Sequence, residues 1–84
     1  MKMFYVVEEQ FVKVSDTDSR LFNYSIKEAF QTFIEAAEYV NDIFENHNRR
    51  NQWSACAGGP DEDLPIHSII KKGVTGFVRI YVKQ

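Results

Sequence analysis

Residues 26–47 read IKEAFQTFIEAAEYVNDIFENH and carry the strongest structural signal in the chain. Their apolar side chains recur at alternating intervals of four and three residues, which places them in one stripe along an α-helix: Ile26, Phe30, Phe33, Ala37, Val40 and Phe44. Two helix-start signals compete here, each matching a capping box: Ser25 with Glu28, and Thr32 with Glu35. We predict helix for 33–47, ended by the cations Arg49 and Arg50, and leave 26–31 open between helix and strand.

Outward from this helix, the chain is rich in strand-forming residues. Met3–Val14 is predicted as a first strand, interrupted near Glu8, and is followed by a polar turn. If the helix starts at the later cap, four preceding residues fit a second strand with period two: Phe22, Tyr24, Ile26 and Phe30. After a long loop predicted at 51–64, two further strands are expected, joined by a turn that uses Gly73 or Gly76: Ile66–Lys72 and Val74–Val82.

These elements predict a single α+β domain over residues 1–84. We expect a three- or four-stranded, largely antiparallel sheet with one amphipathic helix on one face, in the order β(β)αββ. With 84 residues, 44% of them hydrophobic, the chain can bury one core and leaves little room for a deep enzymatic cavity. No apolar run is long enough to span a membrane or to serve as a signal peptide, and the single cysteine forbids an internal disulfide. We therefore expect a cytoplasmic protein without membrane contact.

Charge is unevenly distributed along the chain. Residues 1–48 carry four basic and nine acidic side chains, whereas residues 49–84 carry six basic and three acidic ones. Acidic residues recur on the predicted helix at three- and four-residue intervals, opposite the apolar stripe: Glu35, Glu38, Asp42 and Glu45, with Glu28 two steps earlier and Gln31 filling the gap. The four helical residues, called here the acidic ridge, form either a solvated helix face or a surface that docks on a basic partner.

The last predicted strand offers a second candidate surface. Four of its residues alternate onto the sheet face away from the helix: Phe77, Arg79, Tyr81 and Lys83. Aromatic rings flanked by cations are typical of platforms that bind single-stranded nucleic acid. Gly76–Ile80 is similar to part of the RNA-recognition-motif signature. The same residues equally suit cross-strand aromatic pairs on an exposed sheet face, or a homodimer interface.

Other candidate residues give weaker indications. Trp53 follows Arg49 and Arg50, so it either contributes to an interface or closes the open end of the core. Metal-ligand spacing is lacking around the histidines and the cysteine, although Cys56 with His47 or His67 remains open as a nucleophilic pair. The run 61–63 has three adjacent carboxylates, but its spacing does not match a calcium loop. We predict no catalytic residue, no metal and no cofactor.

One segment resembles a known group of proteins. Phe30-x-Thr32-Phe33-x-Glu35-Ala36-x-x-Tyr39 is similar to the strand-to-helix junction of many small bacteriophage-encoded α+β proteins. The resemblance implies an inhibitor that binds a host enzyme or defence system in the host cytoplasm, but it transfers no binding residue. We expect a non-catalytic binding protein that uses the acidic ridge and Trp53. A single-stranded RNA-binding module and a structural homodimer are the alternatives.

Overall fold

The computed structural model describes residues 2–47 and 52–84. Its secondary structure consists of five strands, one α-helix and a short 3₁₀ helix. In chain order the elements are β1 (Phe4–Lys13), β2 (Ser19–Phe30), α1 (Phe33–His47), β3 (Ser54–Gly59), the 3₁₀ helix (Pro60–Glu62), β4 (Leu64–Lys72) and β5 (Gly76–Lys83). Arg49 and Arg50 lie outside the described residues.

All five strands form one antiparallel sheet in the order β2-β1-β5-β4-β3. The α+β class, the single helix and the antiparallel sheet confirm the sequence prediction. The predicted number of three or four strands was too low, and the observed order is ββαβββ. The later of the two helix starts is used, so the ambiguous residues 26–30 belong to β2.

The start of α1 is fixed by the capping box of Thr32 and Glu35. The backbone N–H of Glu35 donates to Thr32 Oγ1 over 3.2 Å, and the Thr32 hydroxyl donates to Glu35 Oε1 over 2.9 Å. A capping residue satisfies one of the backbone donors that a helix leaves free in its first turn. The helix therefore begins just after β2 ends, which turns the chain sharply back onto the sheet.

The core lies between α1 and one face of the sheet. Its fully buried members come from the helix and the three central strands: Val6, Ala36, Val40, Ile69 and Ile80. Phe30, Tyr39, Phe44 and Trp53 pack around this cluster and remain half-buried. The predicted helical stripe is thus confirmed from Phe33 to Phe44, whereas Ile26 lies on β2 and is exposed.

The predicted loop at 51–64 was wrong over most of its length, because it contains β3 and the 3₁₀ helix. Strand β3 reads SACAGG and lacks the β-branched and aromatic residues that mark a strand in sequence. Pairing with β4 holds it in the sheet. Gly58 has φ of 88°, and a Cβ there would lie 2.2 Å from the backbone oxygen of Pro65, so this position requires glycine.

The second face of the sheet, called here the open face, carries no helix from residues 2–47 and 52–84. Directly opposed residues of antiparallel strands point to the same side, so the register identifies its members. Val7 lies between Ile26 of β2 and Tyr81 of β5, and Glu9 lies between Tyr24 and Arg79. Val7 is fully buried on this face.

Candidate binding surfaces

The acidic ridge occupies the outward side of α1. Its four residues are all exposed, because the opposite side of the helix carries the buried Ala36, Ala37 and Val40. The ion pairs found within residues 2–47 and 52–84 are Lys13–Asp16, Lys27–Glu8 and Arg79–Glu9, and none involves a ridge carboxylate. Glu28, which the sequence pattern placed next to the ridge, lies on β2 opposite Val6 and does not extend it.

An apolar and concave surface adjoins the ridge. Ile34 is 45% exposed and lies in the same helical row as Glu38 and Glu45, four and eleven residues further along. Beside Glu45, a concavity of about 410 Å³ is lined by the 3₁₀ helix and the start of β4, including Asp63 and the exposed Leu64. Asn41 Oδ1 accepts a hydrogen bond of 3.3 Å from the Ile66 N–H and ties the helix to β4 at this point. The ridge is therefore presented on a well-anchored element, with apolar side chains at its border.

Trp53 is not part of the ridge. Its ring packs against the core cluster, and Lys71 Nζ lies 5.0 Å from the ring centroid. It also lines a concavity of about 470 Å³ together with Tyr39 and Ile43, on another flank of α1. This position agrees with the interpretation in which the tryptophan closes one end of the core. A contribution of Trp53 to partner binding stays a prediction.

The four aromatic and basic residues of β5 lie together on the open face, as their alternation predicted. The Phe77 ring stacks on Phe11 of β1, with centroids 4.6 Å apart and planes 15° from parallel. The Arg79 guanidinium lies 5.6 Å from the Phe11 centroid and 4.9 Å from that of Tyr81. Lys83 Nζ lies 5.7 Å from the ring centroid of Tyr24 on β2. These cations and rings are thus already paired with each other within the sheet.

Glu9 adds an acidic group to this basic face. Its carboxylate accepts a hydrogen bond from Arg79 Nε, and the residue is only 9% exposed. As the hydrogen-bond acceptor, Glu9 raises the pKa of the Arg79 guanidinium above its ordinary value. Burial raises the pKa of the Tyr81 phenol, and the nearby Glu9 charge raises it further. Arg79, one of the cations predicted to contact RNA, is therefore already paired with a carboxylate of the same face. RNA binding stays a prediction.

The residues considered for catalysis or metal binding are dispersed. Cys56 is exposed on β3, and the His67 ring packs edge-on against Phe33 with centroids 5.0 Å apart. Glu62 accepts a 2.8 Å hydrogen bond from the Gly58 N–H, which gives this carboxylate a structural role in the turn before β4. Within the described part of the chain, no group of three or more His, Cys, Asp or Glu residues could hold a metal ion. The His47 side chain lies outside the description.

The most exposed apolar residues of the sheet were not predicted as a surface. All four lie on β2; three of them share the open face, and Phe22 lies at a bulge: Leu21, Phe22, Tyr24 and Ile26. Their exposed fractions of 51%, 72%, 41% and 57% are high for large apolar side chains. The period-two pattern of Phe22, Tyr24 and Ile26 was the available signal, but it indicated a strand without showing that this strand would lie at an edge.

Comparison with protein-family models, with curated proteins and with solved structures gave no match. Over the described residues, no helix has the length and apolar character needed to cross a membrane.

Proposed function

We propose that this protein is a non-catalytic binding domain that recognises a basic surface on another protein through the acidic ridge. The observation that carries the proposal is the set of exposed carboxylates on one helix face, none of which forms an ion pair with a described residue. Like charges at these spacings destabilise a helix slightly, and a basic partner would relieve their repulsion. A contribution of Trp53, on another flank of α1, stays a prediction.

The negative charge of the acidic ridge and the apolar residues at its border define the expected partner. Charges of this kind act mainly on the association rate and on the choice of partner. The bordering Ile34 and Leu64 are exposed and supply apolar contact beside the charges. We therefore expect a partner with a lysine- or arginine-rich groove and an apolar rim, and blocking of that groove would make the domain an inhibitor, in line with the phage-type resemblance.

The test is capture from a bacterial lysate with a tagged protein, in nuclease-treated and untreated halves. We expect a stoichiometric protein that survives nuclease and is released by salt. Glu38→Lys with Asp42→Lys should abolish this capture. The matched control is Asp16→Lys with Asp18→Lys, because these two exposed acids lie in the β1–β2 turn and their reversal changes the net charge equally.

Three outcomes would contradict the proposal. Full capture by the ridge variant would remove the ridge from the interaction, and equal loss in both variants would show an effect of net charge only. Recovery of RNA that disappears with nuclease would favour the aromatic and basic residues of the open face instead. Unfolding curves of both variants should match the unmodified protein, since all four positions are exposed.

A further inference from the structure

Strand β2 is a long, uncovered edge of the sheet. It spans 12 residues, pairs with β1 only among the described strands, and is exposed from Ser19 to Ala29. An edge strand presents a row of backbone N–H and C=O groups that another strand can pair with. Soluble proteins commonly protect such an edge with a lysine. Here the amine of Lys27 lies 3.5 Å from Glu8 Oε1 of its own sheet, so that charge is already engaged.

Three apolar side chains of this edge share one face. Between two bulges, which skip Phe22 and Lys27, residues 23–26 pair regularly with β1. Tyr24 and Ile26 therefore point to the open face, and so does Leu21, which lies opposite Phe11. Because these side chains extend the open face up to the edge, a strand added there would cover them on one side.

We propose that β2 is a homodimerisation edge, at which two copies of this chain pair antiparallel about a two-fold axis through Tyr24. A two-fold axis perpendicular to the sheet pairs residues symmetrically about its centre. In this register Tyr24 faces Tyr24 of the second copy. With the bulged Phe22 and Lys27 left unpaired, as they are against β1, Leu21 faces Ile26. The two sheets would join into one of ten strands, twice the five of a single copy.

Charge complementarity favours a second copy as the occupant and favours this register. Arg20 is opposite Val12 and Glu28 is opposite Val6, so both point to the helix side of the sheet. With the axis at Tyr24, each Arg20 faces Glu28 of the other copy, which makes two opposite-charge pairs per dimer. Neither residue forms an ion pair within the described segments of its own chain.

The two neighbouring symmetric registers, centred on Asn23 and on Ser25, give less favourable cross-strand pairs. With the bulged residues again left unpaired, centring the axis on Asn23 places Arg20 opposite Ser25, and centring it on Ser25 places Arg20 opposite Phe30. Neither arrangement brings Arg20 to Glu28, so both lose the opposite-charge pairs. The sequence of β2 thus complements itself best in one register.

The first experiment measures molar mass by sedimentation equilibrium over a wide concentration range. We expect a species of twice 9.8 kDa that dissociates on dilution. A single mass of 9.8 kDa up to millimolar concentration would overturn the proposal. The inference is independent of the proposed function, because Arg20 and Glu28 lie outside the acidic ridge.

Charge exchange tests the register. Arg20→Glu alone and Glu28→Arg alone each place like charges opposite one another, and each should weaken self-association by about tenfold. The double variant R20E/E28R should restore it. An equimolar mixture of the two single variants should form a heterodimer, because every cross-strand pair is then complementary.

The outcomes separate this dimer from others. A dimer whose affinity is unchanged in all three variants would overturn the β2 register in favour of contact between open faces. Failure of both the double variant and the mixture to recover affinity would likewise contradict it. Both residues are exposed, so each variant should keep the unfolding curve of the unmodified protein under conditions where all are monomeric.

Discussion

The Glu9–Arg79 pair is the residue-scale feature that decides how the open face behaves. Glu9 is the only buried charged residue among those described, and it lies on the face without a helix. A carboxylate in this position is tolerated because the guanidinium donates to it. Arg79 is itself half-exposed, with 46% of its side chain accessible, so the pair is partly solvated.

Removing Arg79 should therefore destabilise the fold. Arg79→Met leaves Glu9 without its donor, and we expect a loss of about 1–3 kcal/mol in the free energy of unfolding. Urea denaturation measures this loss. Glu9→Gln in the same background should recover part of it, because a neutral amide is less costly to bury.

The matched control is Lys72→Met, an exposed cation opposite Phe77 of the same face. This substitution should change the stability little, since the side chain forms no ion pair with the residues described. Equal losses for Arg79→Met and Lys72→Met would show that the loss reflects general surface charge, not the pair with Glu9.

Tyr81 should ionise later than an ordinary tyrosine. Burial and the Glu9 charge raise its pKa above 10.0, so the folded state holds the phenol proton more tightly than the unfolded chain does. This contribution to stability is fully present below the unfolded pKa and is lost as pH rises through the folded pKa. An alkaline titration followed by tyrosinate absorbance should lose its latest step in Tyr81→Phe. A titration in which the latest step persists would contradict the assignment.

At the element scale, the β4–β5 hairpin depends on close backbone approach. A Cβ on Gly76 would lie 1.9 Å from the backbone oxygen of Phe11, whereas one on Gly73 would meet nothing nearer than 3.5 Å. Neither glycine has a positive φ, so the sequence-based reason for a glycine at this turn was wrong. Gly76 is required by contact between β5 and β1.

The two glycines provide a controlled comparison. We expect Gly76→Ala to destabilise the protein by at least ~2 kcal/mol, because backbone must move to relieve the overlap. Gly73→Ala should stay within about 1 kcal/mol of the unmodified protein. Thermal or urea unfolding of both variants checks this, and equal effects would show that the close approach does not limit the hairpin.

The same scale shows how far sequence could predict the elements. The helix was predictable because its 3.6-residue period and the Thr32 cap agree. The preceding stretch was ambiguous, since an interval of four residues, as between Ile26 and Phe30, fits both a helical turn and two strand repeats. The bulge at Lys27 then moves Phe30 to the core side, where its ring centroid lies 5.5 Å from that of Tyr39. Strand β3 has no apolar pattern of its own and forms by pairing alone.

At the scale of the whole molecule, sequence located the candidate surfaces better than it described their partners. The ridge follows from helical periodicity, and the β5 face follows from alternation. Strand order could not be predicted from the sequence, because β1 also pairs with β5, which is distant from it in the chain. As a result, neither the edge position of β2 nor the pairing of Glu9 with Arg79 could be predicted.

The two edges of this sheet differ, and the difference limits the size of any assembly. Strand β3 is half as long as β2, its pairing with β4 is irregular on either side of Ala57, and it ends at Gly58 and Gly59 with positive φ. In the proposed dimer both β2 edges are consumed, so only β3 edges face outward. Short, kinked edges are poor templates for a further strand. Association would therefore close after two copies as a finite particle, and the apolar edge would not promote fibre growth.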